Sequence, residues 1–381
     1  MPTTTGLTIP FTGLKKQYNN LRSEILDVTD GVLRSGQLMN GNYTAEFESW
    51  LAKKNHSKYA VTCHSGTHAL EIIAEYYKKE LNMDHPVVLI PSVTYAATAN
   101  AFIRAGWDVH FVDVDSYGLF DVRKISDVGY DAVILVGLYG AAVTHLGNVR
   151  TWEQWLYKGT IIIEDGAQHW LAADGTRVGR GTAISFDPMK NLNAYGNGGA
   201  VVTDIPDLYY FAQEWRDAAK PGHHYAGTNS RMSEIDCAQM MIKTKYIDQW
   251  QRRRKEIAGY WAERLNKAEI RCLIDQSNFK DHCYHKFVID IDRRDQVKKD
   301  LAVRKIETKI HYETPLPEYE SAFDYTNYAH DLYSGAREHG QTALSLPIYP
   351  ELTDAEVEAV VKATRTACIL YNSPSATATQ K

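Results

Sequence analysis

A chain of 381 residues is long enough for two domains, or for one large α/β domain with an appendage, and 44% hydrophobic with 23% charged residues is the balance of a globular protein. The formal net charge of −5 argues against a basic surface for the phosphates of nucleic acid, although local charge can still hold a small anion. Five scattered cysteines without a CxxC pair argue against a disulfide framework, and no apolar leader or run near ~20 apolar residues occurs, so a cytoplasmic chain with no membrane contact is expected.

From residue 59 to about 203, short β-branched runs alternate with stretches of helical period, the pattern of βα units and a mostly parallel, buried sheet. The spacing predicts strands at Tyr59–Thr62, Val87–Ile90, Val109–Val112, Ala132–Val136, Thr160–Glu164, Ala183–Phe186 and Ala200–Thr203. Leu70, Ile73, Ala74 and Tyr77 follow at helical spacing, so the first strand runs into a helix across Cys63-His64-Ser65-Gly66-Thr67. Ser233 to Leu265 is again helical, with Arg252-Arg253-Arg254-Lys255 expected on a solvated face. Strands at Lys286–Ile291 and Thr308–His311 and a closing helix at Asp354–Leu370 then suggest a smaller α+β unit. The division expected is a large α/β domain with an N-terminal arm at 1–250, a small α+β domain at 251–372 and a disordered tail at 373–381.

Three segments at expected strand ends could carry chemistry, because open α/β folds place ligands there. Ser65-Gly66-Thr67 can hold a phosphate through free amides, a helix dipole and two hydroxyls, and can equally be a plain helix cap. In Glu164-Asp165-Gly166-Ala167-Gln168 an acid ends an apolar run; it is either a paired structural carboxylate or one that keeps a pyridinium nitrogen protonated. Lys190, in Ser185-Phe186-Asp187-Pro188-Met189-Lys190, can form a Schiff base if its amine is partly neutral, but most lysines are surface charges.

Taken in order, these segments resemble the DegT/DnrJ/EryC1/StrS aminotransferases, sugar aminotransferases of the fold-type I pyridoxal-phosphate enzymes. The likeness spans nearly the whole chain: Gly36–Phe47, Ser65–Leu70, Pro91–Asn100, the Asp165 and Lys190 motifs, Gly227–Ser233, His311-Tyr312 and Leu346–Pro350. It implies a mostly parallel central sheet with helices on both faces, a smaller C-terminal α+β domain, and pyridoxal 5′-phosphate as cofactor.

By this resemblance Lys190 is the Schiff-base lysine and proton carrier, Asp165 pairs with the pyridine nitrogen, Gln168 contacts the phenolic oxygen, and Tyr95 covers the ring. Ser65, Gly66, Thr67 and Ser185 match the phosphate site. Asn229 resembles an asparagine donated by a second subunit, which implies a homodimer with shared sites, and His224, His311 and Tyr312 are acceptor-site candidates. The implied reaction is ping-pong transfer of an amino group from glutamate or glutamine to a nucleotide-linked 3-keto or 4-keto sugar. Alternatives are a pyridoxal-phosphate enzyme acting on a non-sugar ketone such as a keto-cyclitol, and a non-catalytic regulatory homologue. Relatives with histidine in place of the lysine dehydrate their substrate, and Lys190 argues against that.

The chain departs from the family pattern at Gly166, at His169-Trp170 and at Asp187-Pro188-Met189, next to the cofactor residues rather than at them, which bears on substrate identity. His282-Cys283-Tyr284-His285 puts its side chains at alternate positions of an expected strand but lacks a second cluster at zinc-site spacing, so no metal is expected. Gly196-Asn197-Gly198-Gly199 leads into a strand, not the helix that a dinucleotide loop requires.

Overall fold

Short runs of Val, Ile, Leu and Ala bounded by Gly, Pro and Asp form the strands of the central sheet. The computed structural model describes residues 8–125, 129–143, 155, 159–172, 178–274, 279–320 and 330–372; the tail expected at 373–381 lies outside them. Helices α1 (Leu14–Ser35) and α2 (Asn42–Lys54) precede β1 (Tyr59–Cys63), α3 (Gly66–Leu81), β2 (Val87–Pro91), α4 (Ala97–Arg104), β3 (Asp108–Val112), β4 (Ala132–Val136), β5 (Ile161–Asp165), β6 (Gly181–Ser185) and β7 (Gly199–Thr203). After α5 (Pro206–Arg216), α6 (Glu234–Thr244) and α7 (Ile247–Asn266) come β8 (Arg271–Cys272), β9 (Phe287–Asp290), α8 (Arg294–Val303), α9 (Ser334–Thr342), β10 (Ala343–Leu346) and α10 (Asp354–Asn372).

The central strands stand in the order β1-β7-β6-β5-β4-β2-β3. Only β7 is reversed, antiparallel to both β1 and β6. Both faces are covered, as period-two alternation requires of a sheet between helical layers. Val61, Ala183 and Val201 pack with α3 and α4, while their neighbours Ala60, Ile184 and Val202 pack with α1, α2 and α6.

Side chains fix the N-termini of α2, α3 and α6. Ser65 caps α3, accepting from the His68 amide at 3.2 Å, and Ser233 caps α6, accepting from the Asp236 amide at 3.1 Å. The N-terminus of α2 begins at Gly41, which has no side chain to cap it. The buried Glu234 carboxylate does so instead, accepting from the amides of Gly41, Tyr43 and Thr44 at 2.9, 2.6 and 3.2 Å. That contact ties α6 to α2.

The smaller sheet has the order β10-β9-β8, all antiparallel. The expected helix from Ser233 to Leu265 is two helices, α6 and α7. α7 lies across both parts: Ile247 and Trp250 belong to the core over α1 and α2, and Ile257, Ala258, Trp261 and Leu265 to the core over the small sheet. The N-terminal arm, read as part of the larger unit, puts Ile9 into the small-sheet core, where it bridges to Ile306.

Three expectations differ locally. Thr308–His311 is not a strand: Lys309 makes one bridge to Ser345, and His311 and Tyr312 then line a cavity at the sheet edge. Arg254 is buried rather than solvated, because it shares the helical stripe of Trp250, Ile257 and Trp261; it donates to the Tyr284 and Ile348 carbonyls at 3.2 and 2.8 Å. His282–His285 is irregular backbone, not strand. No helix among the described residues is long and apolar enough to cross a membrane.

Candidate active site

A cavity of about 300 Å³ opens at the C-terminal ends of β1, β2, β4, β5 and β6, beside the N-terminus of the reversed β7. The sheet order therefore brings together residues that are more than a hundred positions apart in sequence. Ser65, Gly66, Thr67 and Ser185 line one end; Asp165, Gln168 and Tyr95 line another; and Lys190, His311 and Tyr312 complete the wall.

At the first end, the amides of Gly66 and Thr67 find no acceptor among the described residues, as expected in the first turn of a helix. Two glycines make the close approach possible. A Cβ on Gly66 would lie 2.8 Å from the Ser185 Cβ, and one on Gly199 would lie 2.2 to 2.5 Å from the backbone of Ser65 and Gly66. Free amides, a helix N-terminus and hydroxyls together suit a phosphate.

At the second end, strand alternation separates two consecutive acids. Glu164 points away from the cavity, accepting from the Val178 and Gly179 amides at 2.6 Å and facing His169 Nε2 at 3.3 Å. Asp165 lines the cavity, accepting from Thr98 Oγ1 at 2.6 Å and the Ala167 amide at 3.1 Å; Thr98 in turn lies 3.1 Å from Thr94 Oγ1. Gln168 is oriented by the Tyr139 amide, which donates to its Oε1 at 2.8 Å, so its Nε2 donates into the cavity, reaching the Tyr312 hydroxyl at 3.3 Å. Tyr95 is 61% exposed, which rules out a core role, and its ring lies 6.3 Å from that of Tyr312.

Lys190 follows the end of β6. Burial pushes its amine below the ordinary lysine range, opposed by Asp165 and Asp187. A partly neutral amine is what nucleophilic attack on a carbonyl needs. The small-sheet side adds His311, whose ring burial pushes down to about 3, and Tyr312, whose phenol burial and then Asp165 push up, so both stand neutral at pH 7.

Two candidates lie elsewhere. Asn229 and His224 are exposed on the segment before α6 and do not line the cavity within this chain. Around His282–His285 two of the donors are already engaged: His282 Nδ1 accepts from the Tyr284 amide at 2.9 Å, and Cys283 Sγ donates to the Gln168 carbonyl at 3.1 Å. Among the described residues no group of three His, Cys, Asp or Glu could hold a metal.

Several site residues were missed. Thr98 falls inside a motif quoted above, and its i, i+4 spacing from Thr94 was the available signal. Lys286, which lines the cavity beside His285, had none, since the sequence read it as a strand residue. Nor did Tyr139, held with φ at +64° between Gln168 and the small sheet, its hydroxyl donating to the His311 carbonyl and lying 2.6 Å from His339 Nε2.

A phosphate cradle, a buried carboxylate at the far end and an amine whose burial favours its neutral form are the donor set pyridoxal phosphate requires, so the cavity fits the expected cofactor. The family model for the DegT/DnrJ/EryC1/StrS aminotransferase family matches residues 19–365. A dTDP-3-amino-3,6-dideoxy-alpha-D-galactopyranose transaminase of Aneurinibacillus thermoaerophilus is 31% identical over 93% of this chain and 98% of its own. A pleiotropic regulatory protein of Geobacillus stearothermophilus is 29% identical over 93% of this chain and 97% of its own. Among solved structures, DesV of S. venezuelae superposes with a TM-score of 0.85 at 29% identity, covering 94% of this chain and 98% of that one. On the extent of that match, the chain belongs to the DegT/DnrJ/EryC1/StrS family of pyridoxal-phosphate-dependent aminotransferases.

Proposed function

We propose that this chain transfers an amino group from glutamate or glutamine to a nucleotide-linked 3-keto or 4-keto sugar in the cytoplasm, as a homodimer with shared active sites. What carries the reading is the meeting of Lys190, Asp165 and the Ser65–Thr67 turn in one cavity. The transaminase relative supports a nucleotide sugar as acceptor.

Bound there, pyridoxal phosphate supplies a carbonyl for the amine and a ring that takes up the electron pair of a deprotonated substrate carbon. Asp165, in this reading, holds a proton on the ring nitrogen, with Thr98 fixing its carboxylate. Gln168 Nε2 donates toward the phenolic oxygen, its orientation set by the Tyr139 amide. The Lys190 Nζ, its proton affinity lowered by burial, takes the proton from the substrate carbon and returns it. Tyr95 shields one ring face from water.

The homodimer is supported by the apolar Leu33, Leu38 and Met39, all more than a third exposed, beside the segment that bears Asn229: the Glu234 amide donates to the Leu38 carbonyl, and Met39 bridges to Ser233. The regulatory name of one relative does not displace the enzyme reading, since a purely structural role needs no buried lysine in one cavity with a buried acid. The test is an absorbance spectrum with borohydride trapping. Wild type with pyridoxal phosphate is expected to show a visible band and to yield a labelled Lys190 peptide. Lys190→Ala is expected to lose the label and to slow transamination by on the order of 10²–10⁴. An unlabelled wild type, or a fully labelled Lys190→Ala, overturns the reading.

A further inference from the structure

Among the described residues Lys286 is a buried lysine without a partner acid. It is 6% exposed, and among the described residues it forms no ion pair; its Nζ lies 5.1 Å from the centroid of the Phe11 ring. Lys286 lines both the 300 Å³ cavity and an adjoining space of about 30 Å³, and Lys190 lines both as well. The charged groups around it are mostly of its own sign: Lys190, Arg254 and Lys309. His285 and His311 are held neutral by burial. Among the described residues Asp187 is the acid that acts on it, and that carboxylate already accepts from the Met189 amide at 2.9 Å.

An amine buried among cations costs stability unless something supplies the missing negative charge. The phosphate cradle is elsewhere, at Ser65–Thr67 and Ser185, so the cofactor's phosphate does not supply it. We infer that Lys286 is the residue that receives a carboxylate of the substrate, on the small-sheet side of the cavity. A single amine matches a single carboxylate, whereas a diphosphate asks for a longer run of donors. Burial and the neighbouring cations hold Lys286 below the ordinary lysine range, and an incoming carboxylate opposes that shift. The inference rests on the aminotransferase reading, and it deepens that reading by naming the group that selects the substrate. Two substrates can bring a carboxylate: the amino donor, or an acceptor sugar that is a uronate.

The test is calorimetric titration of the cofactor-loaded protein with glutarate, and separately with UDP-glucuronate against UDP-glucose. If the donor is the source, Lys286→Met weakens glutarate binding about tenfold or more while Lys286→Arg stays near wild type. If the acceptor is the source, wild type prefers UDP-glucuronate over UDP-glucose and Lys286→Met loses that preference. Lys286→Met is also expected to melt higher than wild type, since it removes an unpaired buried amine; Lys286→Gln serves if the methionine variant fails to fold. Affinities for glutarate and both UDP-sugars unchanged in a folded variant overturn the proposal. Borohydride labelling of Lys190 in the same variant reports on the aminotransferase reading independently.

Discussion

At the end of β5, strand alternation gives Glu164 and Asp165 opposite surroundings, and only Asp165 meets the cavity. Thr98 is the group that holds it in place. Thr98→Val is therefore expected to lower kcat/KM about tenfold, the effect of losing a hydrogen bond to a charged group, while borohydride labelling of Lys190 persists. Much of this was legible in the sequence, because an acid after an apolar strand and a lysine after the next one are local signals. Thr98 and Lys286 were not, because their importance comes from which strands become neighbours. Arg254 is a different case: its place in the stripe of Trp250, Ile257 and Trp261 was readable, but the run of four basic residues obscured it.

Among elements, the turn between β1 and α3 depends on β7 approaching it closely. The glycines at 196 and 199 look alike in sequence, and the fold distinguishes them. A Cβ on Gly196 meets nothing within 4 Å, whereas one on Gly199 would lie 2.2 Å from the Ser65 carbonyl carbon. Gly199→Ala is expected to cost about 1–3 kcal/mol in urea unfolding and to weaken pyridoxal phosphate binding, while Gly196→Ala leaves both near wild type. The seven strands of the central sheet were read to within about two residues because each is a short, mostly apolar and largely buried run, whereas β8 and β10 of the small sheet were not read at all. Thr308–His311 has the residues of a strand but makes only a single bridge, from Lys309 to Ser345 of β10.

For the whole molecule, buried histidines set the response to acid. Burial pushes His282 and His311 down to about 3 and His339 to about 4, all below the ordinary 6.5. The unfolded chain thus takes up protons first, so their destabilisation is absent above pH 7 and grows as pH falls from about 6.5 toward 4 and 3. Urea midpoints at pH 7.5 and pH 5 are expected to differ, each histidine adding up to ~1.4 kcal/mol per pH unit within its window. A midpoint flat across that range contradicts the expectation. Exposed Asn229, outside the cavity of its own chain, gives a test of shared sites. Mixing and refolding inactive Lys190→Ala with inactive Asn229→Ala is expected to restore about one quarter of wild-type activity, since half of randomly paired dimers carry one intact site.

The boundary read at residue 250 falls inside α7, whose Trp250 and Trp261 belong to different cores. Neither core can come apart without exposing part of a helix the other is packed against. Calorimetry should therefore register one cooperative transition rather than two, and a destabilising change in the small sheet should lower the melting temperature of the distant β1–β7 edge by the same amount.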